Sequence, residues 1–242
     1  MLRRSVRPEL AWTLGLLALV AILAARLWVL AHSEADLFVD ESQYWLWGQD
    51  LAFGYYSKPP LIGWVIRAAT ELGEVSAFWV RAPAVLFHGL SAIVLMLAAR
   101  QITTAGAAVL TGLAYLTIPG VVVGSLLMST DTILMPFYAA ALALYIRLLD
   151  RPSIGTAALM GLCLGLAFMA KYAAAYFLIS ALMVHLFHPS LRLRWREAMA
   201  ALLAFVVTIS PNLVWNLLND LSTLSIRWTT WTGCAAATRR RP

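Results

Sequence analysis

Long apolar runs, separated by short segments that carry charges, prolines or histidines, follow one another along most of the chain. As an α-helix, residues 10–31 would reach roughly 33 Å, enough to cross a hydrocarbon core of about 30 Å. The later runs are close to the roughly 17–25 residues that a tilted spanning helix needs. We therefore predict an all-α integral membrane protein, a polytopic bundle of about seven transmembrane helices. The predicted spans are residues 10–31, 78–99, 105–127, 132–148, 154–170, 172–187 and 198–217.

The first run also has features of a secretory signal peptide, because Arg3, Arg4 and Arg7 precede it. The apolar core of a signal peptide is usually about 7–15 residues long, and this run is longer. Because further apolar runs follow, we expect a retained membrane anchor. Residues such as Pro119 and Gly165, which fall inside later runs, are expected to be tolerated within spanning helices.

The longest stretch that does not resemble a span is residues 33–77, which we expect to form the first outer loop. A double proline suits the first turn of a helix, so we predict a helix from Pro60 to Leu72 with Gly73 as its C-terminal cap. This helix is too short to span the bilayer and is expected to lie in the interface. Its predicted buried face consists of Leu61, Ile62, Val65, Ile66 and Ala69.

Composition supports the membrane assignment. Hydrophobic residues make up 62% of the 242 residues and charged residues 12%, with a mean hydropathy of +0.78. A soluble domain is typically about 45–50% apolar and about 25% charged. The net charge of +6 does not indicate nucleic-acid binding, because the basic residues are dispersed between apolar runs. Two cysteines are too few for a disulfide framework, and the four histidines form no metal-binding motif.

The distribution of basic residues predicts the orientation. With the N-terminus in the cytoplasm, nine basic residues fall on the inner side and, up to position 220, four on the outer side. This is the expected positive-inside bias. Most acidic residues fall on the outer side, which the positive-inside rule does not explain. A functional site on the outer face is one explanation for that clustering.

The outer acids include the adjacent pair Asp40 and Glu41 in the first loop and Asp131 at the start of the fourth span. Helical neighbours do not share a face, so only one of the pair can point into a given cavity. The alternative is an interfacial helix whose acids are incidental. Asp131 is suited to an N-cap role, and an ionisable group at the membrane edge is also a functional candidate.

Three outer basic residues complete the candidate site. Lys58 precedes the double proline, where a helix N-terminus and an ammonium group together favour an anion such as phosphate. The alternative is that Lys58 extends to lipid headgroups. Arg81 opens the second span, and Lys171 separates the fifth and sixth. Acids beside bases at a membrane surface suit chemistry on a phosphate-linked substrate.

The chain resembles the bacterial members of the dolichyl-phosphate-mannose–protein mannosyltransferase family, which include aminoarabinose transferases that modify lipid A and share the GT-C fold. The resemblance extends from about residue 36 to about residue 220. It rests on the Asp40-Glu41 pair, the Tyr55-Tyr56-Ser57-Lys58-Pro59-Pro60-Leu61 segment, Arg81-Ala82-Pro83, Ser129-Thr130-Asp131 and Ala170-Lys171-Tyr172.

The resemblance implies transfer of a sugar from a polyprenyl-phosphate donor to a lipid, glycan or protein acceptor on the outer, periplasmic face, with inversion. Asp40 would act as base or orienter near the acceptor hydroxyl, with Glu41 second. Asp131 would be a further acid of the cavity. The donor phosphate would be held by Lys58 and, less directly, by Arg81 and Lys171. Membrane lipids are expected partners, no cofactor is indicated, and a divalent metal stays an open alternative.

Family members are longer than this chain. We expect residues 1–220 to form part of a GT-C-like transmembrane domain, and residues 221–242 to be an atypical basic tail that suggests a frameshifted or truncated end with little or no transferase activity. One alternative is a transporter or flippase-like protein that binds a phospholipid without chemistry, although the internal repeat common in transporters is not evident. Another is an inactive membrane fragment.

Overall fold

The computed structural model describes residues 8–221, and all regular secondary structure in that range is helical. Arg3, Arg4 and Arg7 lie outside the described residues, as does the predicted basic tail except for its first residue. The α-helices are α1 (Pro8–Ala31), α2 (Val39–Gln49), α3 (Leu61–Leu72), α4 (Ala77–Arg100), α5 (Ala105–Thr117), α6 (Pro119–Gly124), α7 (Thr130–Asp150), α8 (Ile154–Ala170), α9 (Ala175–Phe187) and α10 (Trp195–Leu218). Short 3₁₀ turns precede α9 and α10.

Each predicted span corresponds to helical structure in the described part of the chain. By length and apolar composition, α1, α4, α7 and α10 are long enough to cross a membrane. The other three predicted spans correspond to shorter apolar helices, namely α5, α8 and the stretch Tyr172–Phe187. The all-α membrane bundle predicted from the sequence is therefore confirmed.

The predicted span over residues 105–127 is not one continuous helix. The backbone of Ile118 is extended, so α5 ends at Thr117 and a separate short helix begins at Pro119. Proline lacks an N–H and disfavours helical geometry in the residue before it. The prediction that Pro119 is tolerated inside an uninterrupted helix is wrong. The Arg26 guanidinium of α1 donates a hydrogen bond to the Leu116 carbonyl, which this break leaves without a helical partner.

Small residues let α8 approach its neighbours closely. α8 packs against both α7 and α10. A Cβ atom at Gly161 would collide with the backbone of Ala201, and one at Gly165 would lie 2.5 Å from the Thr208 side chain. Close backbone approach at glycine is typical of helix pairs in membranes, where packing replaces the hydrophobic effect as the driving force. These glycines thus let α8 pack between α7 and α10.

The segment between α1 and α4 folds into two short helices on one end of the bundle. α3 begins one residue later than predicted, and the Gly73 N–H donates to the Ala69 carbonyl, so Gly73 is the C-terminal cap as predicted. Ile62, Ile66 and Ala69 are buried, which confirms the predicted face, and Leu61 and Val65 are half-buried. α3 packs against α2 and α4.

The loops and helix ends make separate sets of contacts at the two ends of the bundle. One end contains α2, α3 and the junctions before α7 and after α8, all of which the sequence assigned to the outer side. The contacts at this end include the Glu41 carboxylate with the Met128 N–H, Lys171 with Asp131, and the Asn212 amide with the Phe53 carbonyl. The opposite end includes bonds from Gln101 to the Ala143 carbonyl and from Tyr145 to the Leu191 carbonyl.

Candidate active site

A buried ion pair between Glu41 and Arg81 organises the first loop. Arg81 Nη2 lies 2.7 Å from Glu41 Oε2, and Arg81 Nε lies 3.1 Å from both carboxylate oxygens. The Arg81 and Glu41 side chains are only 3% and 2% exposed. The other guanidinium contacts are with the carbonyls of Ala35, at 2.9 Å, and Asp36, at 2.7 Å. All the acceptors that hold the guanidinium thus lie within residues 35–41.

The Glu41 carboxylate also accepts two backbone hydrogen bonds. Its Oε2 accepts from the Phe38 N–H at 3.0 Å, which caps the start of α2, and its Oε1 accepts from the Met128 N–H at 2.8 Å, just before α7. Glu41 therefore joins the beginnings of α2, α4 and α7. A buried ion pair is tolerated when hydrogen bonds satisfy its remaining donors and acceptors, as they do here.

Asp40 lies on the other side of α2. Unlike Glu41 it is exposed, as the angular separation of helical neighbours requires. One turn further on, Tyr44 is buried, and its pKa is raised to about 12 first by burial and then by the negative charges of Asp40 and Asp131. The two acids therefore act on the same hydroxyl group from separate segments. The Tyr44 hydroxyl stays protonated at neutral pH and keeps its donor hydrogen.

Asp131 forms an ion pair with Lys171. The Lys171 Nζ lies 2.7 Å from both oxygens of the Asp131 carboxylate, and the two side chains are 35% and 61% exposed, respectively. Asp131 is the second residue of α7 and is not its N-cap. That role belongs to Ser129, whose hydroxyl accepts a hydrogen bond from the Thr132 N–H. The carboxylate nevertheless lies in the first turn, where the helix dipole favours negative charge.

Lys58 and Lys171 line one open cavity of about 710 Å³. Among residues 8–221, Lys58 has no ion-pair partner, since the ion pairs there involve other side chains. Two ammonium groups around one cavity suit an anionic ligand such as a phosphate. The remaining lining residues are Ser57, Pro59, Tyr172, Ala173 and Tyr176.

The loop that carries Lys58 is held against α2 by aromatic packing. Tyr55 stacks on Trp47 with ring centroids 5.0 Å apart, and its hydroxyl donates to the Asp50 carbonyl at 3.2 Å. The Tyr55 N–H donates to the Lys58 carbonyl at 3.1 Å, which closes a turn just before α3. The lysine backbone is thus fixed relative to the helix that carries Asp40.

A polar network in the last spanning helix reaches the same cavity and was missed by sequence reasoning. The Tyr172 hydroxyl donates to Asn212 Oδ1 at 3.1 Å and accepts from Asn216 Nδ2 at 3.3 Å. The Asn212 amide in turn donates to the Phe53 carbonyl of the first loop at 2.7 Å. The sequence did contain a sign of this network, because Asn212 and Asn216 are four residues apart in an apolar run. Polar residues in a membrane helix usually face the bundle interior.

The sequence profile of the dolichyl-phosphate-mannose-protein mannosyltransferase family matches residues 57–215 of this chain. The chain belongs to this family. The matched range includes four of the six predicted site residues and begins after Asp40 and Glu41. The resemblance read from the sequence motifs is therefore confirmed at the level of the family.

Curated proteins similar to this chain include galacturonosyltransferases of Rhizobium johnstonii. The lipid A galacturonosyltransferase RgtD is 42% identical over 211 residues, which cover 87% of this chain and 45% of that protein. The lipopolysaccharide core galacturonosyltransferase RgtB is 30% identical over 217 residues, covering 87% of this chain and 43% of that protein. The chain thus spans less than half the length of these relatives.

The fold is also that of a solved membrane protein. The crystal structure of ArnT from Cupriavidus metallidurans in the apo state superposes with a TM-score of 0.68 at 20% sequence identity, covering 88% of this chain and 44% of that chain. This similarity confirms the GT-C-like bundle predicted from the sequence, and together with the apolar helices it establishes an integral membrane protein.

Proposed function

We propose that this chain belongs to a membrane glycosyltransferase that takes a sugar from a polyprenyl-phosphate donor. The cavity that joins Lys58 and Lys171 beside the Asp131 carboxylate is the observation that carries the proposal. Phosphate is already a good leaving group, so the reaction needs charge stabilisation and one base. The names of the relatives favour galacturonic acid as the sugar and lipid A or the lipopolysaccharide core as the acceptor.

In the proposed reaction, the acceptor hydroxyl attacks the anomeric carbon of the sugar from the side opposite the phosphate. A bond forms between the acceptor oxygen and this carbon, and the bond from the carbon to the phosphate oxygen breaks, which inverts the anomeric centre. The electron pair leaves with the phosphate, whose charge Lys58 and Lys171 stabilise. The hydroxyl proton passes to the exposed carboxylate of Asp40.

The other predicted site residues take different roles in this proposal. Asp131, which is paired with Lys171 of the cavity lining, would orient the sugar or the acceptor. The sequence suggested Glu41 as a second acid and Arg81 as a phosphate ligand, but the buried contacts of these side chains with each other and with the backbone favour a positioning role for both. They would hold α2 so that Asp40 faces the cavity.

We further propose that the site faces the periplasm of a bacterial inner membrane, with the N-terminus in the cytoplasm. The charge bias supports this orientation. Reporter domains fused after Gly73, Met128 and Asp220 are expected to report the outer side. Fusions after Arg100, Asp150 and Arg196 are expected to report the inner side. A fusion that reports the side opposite to the one expected would exclude the seven-span topology.

Replacing Lys58 by alanine tests the phosphate site. Loss of one charge-assisted contact is expected to weaken binding of a polyprenyl phosphate by about 10- to 100-fold. Binding is measured on the protein reconstituted in nanodiscs, and transfer is followed in a full-length form from a repaired gene, with polyprenyl-phosphate galacturonic acid as donor and lipid A as acceptor.

Arg67→Ala is the matched control, because Arg67 lies in the same loop and pairs with Glu71 on the surface of α3. The dissociation constant of the Arg67→Ala variant for polyprenyl phosphate should stay within a factor of two of the value for the unmodified protein. Equal weakening by both substitutions would show a general loss of positive charge and would contradict the Lys58 assignment. Tight binding of donor without any transfer in the full-length form would instead favour the transporter alternative.

A further inference from the structure

Lys171 both forms an ion pair with Asp131 and lines the cavity that contains Lys58. Its Nζ lies 2.7 Å from both oxygens of Asp131, and the residue also lines the cavity that contains Lys58. A single ammonium group has only three donor hydrogens, so a bidentate contact with a carboxylate leaves it little capacity for another anion. A ligand phosphate in the cavity therefore competes with Asp131 for the same amine.

We propose that Lys171 is exchanged between Asp131 and the donor phosphate, so that binding of the donor releases the Asp131 carboxylate. This inference rests on the proposed function, because it takes a phosphate-linked donor as the ligand. Without donor, Lys171 holds Asp131 in an ion pair. With donor bound, Lys171 turns to the phosphate beside Lys58, and Asp131 becomes free to orient the sugar or the acceptor.

The backbone of Lys171 is suited to a side-chain movement of this kind. The Lys171 N–H donates to the Ala167 carbonyl at 2.9 Å, and its carbonyl accepts from the Ala174 N–H at 3.0 Å. These bonds anchor the junction between α8 and the following 3₁₀ turn. The exchange then needs rotation about the flexible four-carbon stem of the lysine and no movement of a helix.

The ion pair is weak enough to be exchanged. Its side chains are 35% and 61% exposed, and exposed pairs are screened by solvent and contribute little net stability. The freed carboxylate stays in the first turn of α7, where the helix dipole stabilises its charge. The Glu41–Arg81 pair is different, because both side chains are buried and bonded to the backbone. Arg81 donates to two carbonyls, and Glu41 accepts from two N–H groups.

A double-mutant cycle tests the exchange. The probe is geranyl phosphate, and its dissociation constant is measured by titration of the reconstituted chain. Lys171→Met is expected to weaken binding about tenfold or more, through loss of a charge-assisted contact. Asp131→Asn removes the intramolecular competitor and is expected to tighten binding about twofold to fivefold. In the Lys171→Met background, Asp131→Asn is expected to have no effect.

The possible outcomes distinguish the exchange from a general effect of charge and from failure of the proposed function. Equal tightening by Asp131→Asn in both backgrounds would indicate a general charge effect and would overturn the exchange. Weaker binding in Asp131→Asn would overturn it as well, since the ion pair would then be organising Lys171 for the ligand. Asp131→Ser is run in parallel so that the conclusion does not depend on the folding of one variant. No saturable binding in the unmodified chain would overturn the proposed function together with the exchange, whereas normal binding without coupling would overturn the exchange alone.

Discussion

In a full-length form of this protein, obtained from a repaired gene, replacing Asp40 by asparagine is expected to lower the rate of sugar transfer by about 10²- to 10⁴-fold, the range that a positioned general base contributes. Asparagine keeps the shape of the side chain but cannot take the proton from the hydroxyl group of the acceptor. Lys58 and Lys171, which line the cavity, are unchanged, so the dissociation constant of polyprenyl phosphate should stay close to its original value. The measurement is the transfer rate at saturating donor, together with donor binding in the same preparation.

Neighbouring side chains make this prediction specific. Glu41 is adjacent in sequence but cannot replace the lost base, because its carboxylate is buried and accepts the Arg81 guanidinium and two backbone N–H groups. Gln43→Ala is the matched control, since Gln43 is an exposed polar residue of the same helix. Unchanged transfer in Asp40→Asn would exclude Asp40 as the base. Parallel loss of transfer and donor binding would instead indicate that Asp40 maintains the cavity.

The second large effect concerns stability. Replacing Arg81 by methionine leaves the Glu41 carboxylate buried without a counter-charge, and removing one partner of a buried ion pair typically costs about 3–5 kcal/mol. The substitution also frees the carbonyls of Ala35 and Asp36, which now accept from the guanidinium. We expect a lower free energy of unfolding and, in the folded fraction, loss of transfer because α2 is no longer fixed relative to α4.

Two further variants separate the buried pair from a general effect of charge. Arg67→Met removes a basic residue that is paired with the exposed Glu71 and makes one long hydrogen bond, at 3.4 Å, to the Gly48 carbonyl. It should cost about 1 kcal/mol or less. The double variant Glu41→Gln with Arg81→Met should recover part of the loss, because a neutral amide is less costly to bury than a carboxylate and still accepts hydrogen bonds. Unfolding in mild detergent measures all three. Equal destabilisation by Arg81→Met and Arg67→Met would contradict the assigned role of the buried pair.

Much of the fold was predictable because membrane burial acts on short stretches of sequence. The helical stretches, the short helix that ends at Gly73, and the different orientations of Asp40 and Glu41 all follow from local length, periodicity and cap chemistry. The break at Pro119 has a local cause as well, and the prediction failed there because prolines are often tolerated in membrane helices.

The sequence by itself determined that this is an all-α membrane protein of the mannosyltransferase family. It also assigned the candidate acids and bases to one predicted side of the membrane. Only the tertiary structure decided which acid meets which base. Glu41 pairs with Arg81 and Asp131 with Lys171, each across 40 residues of chain, and Asn212 reaches Phe53 across 159. Such pairings depend on how helices rotate and pack against one another, which the periodicity of a single helix does not contain.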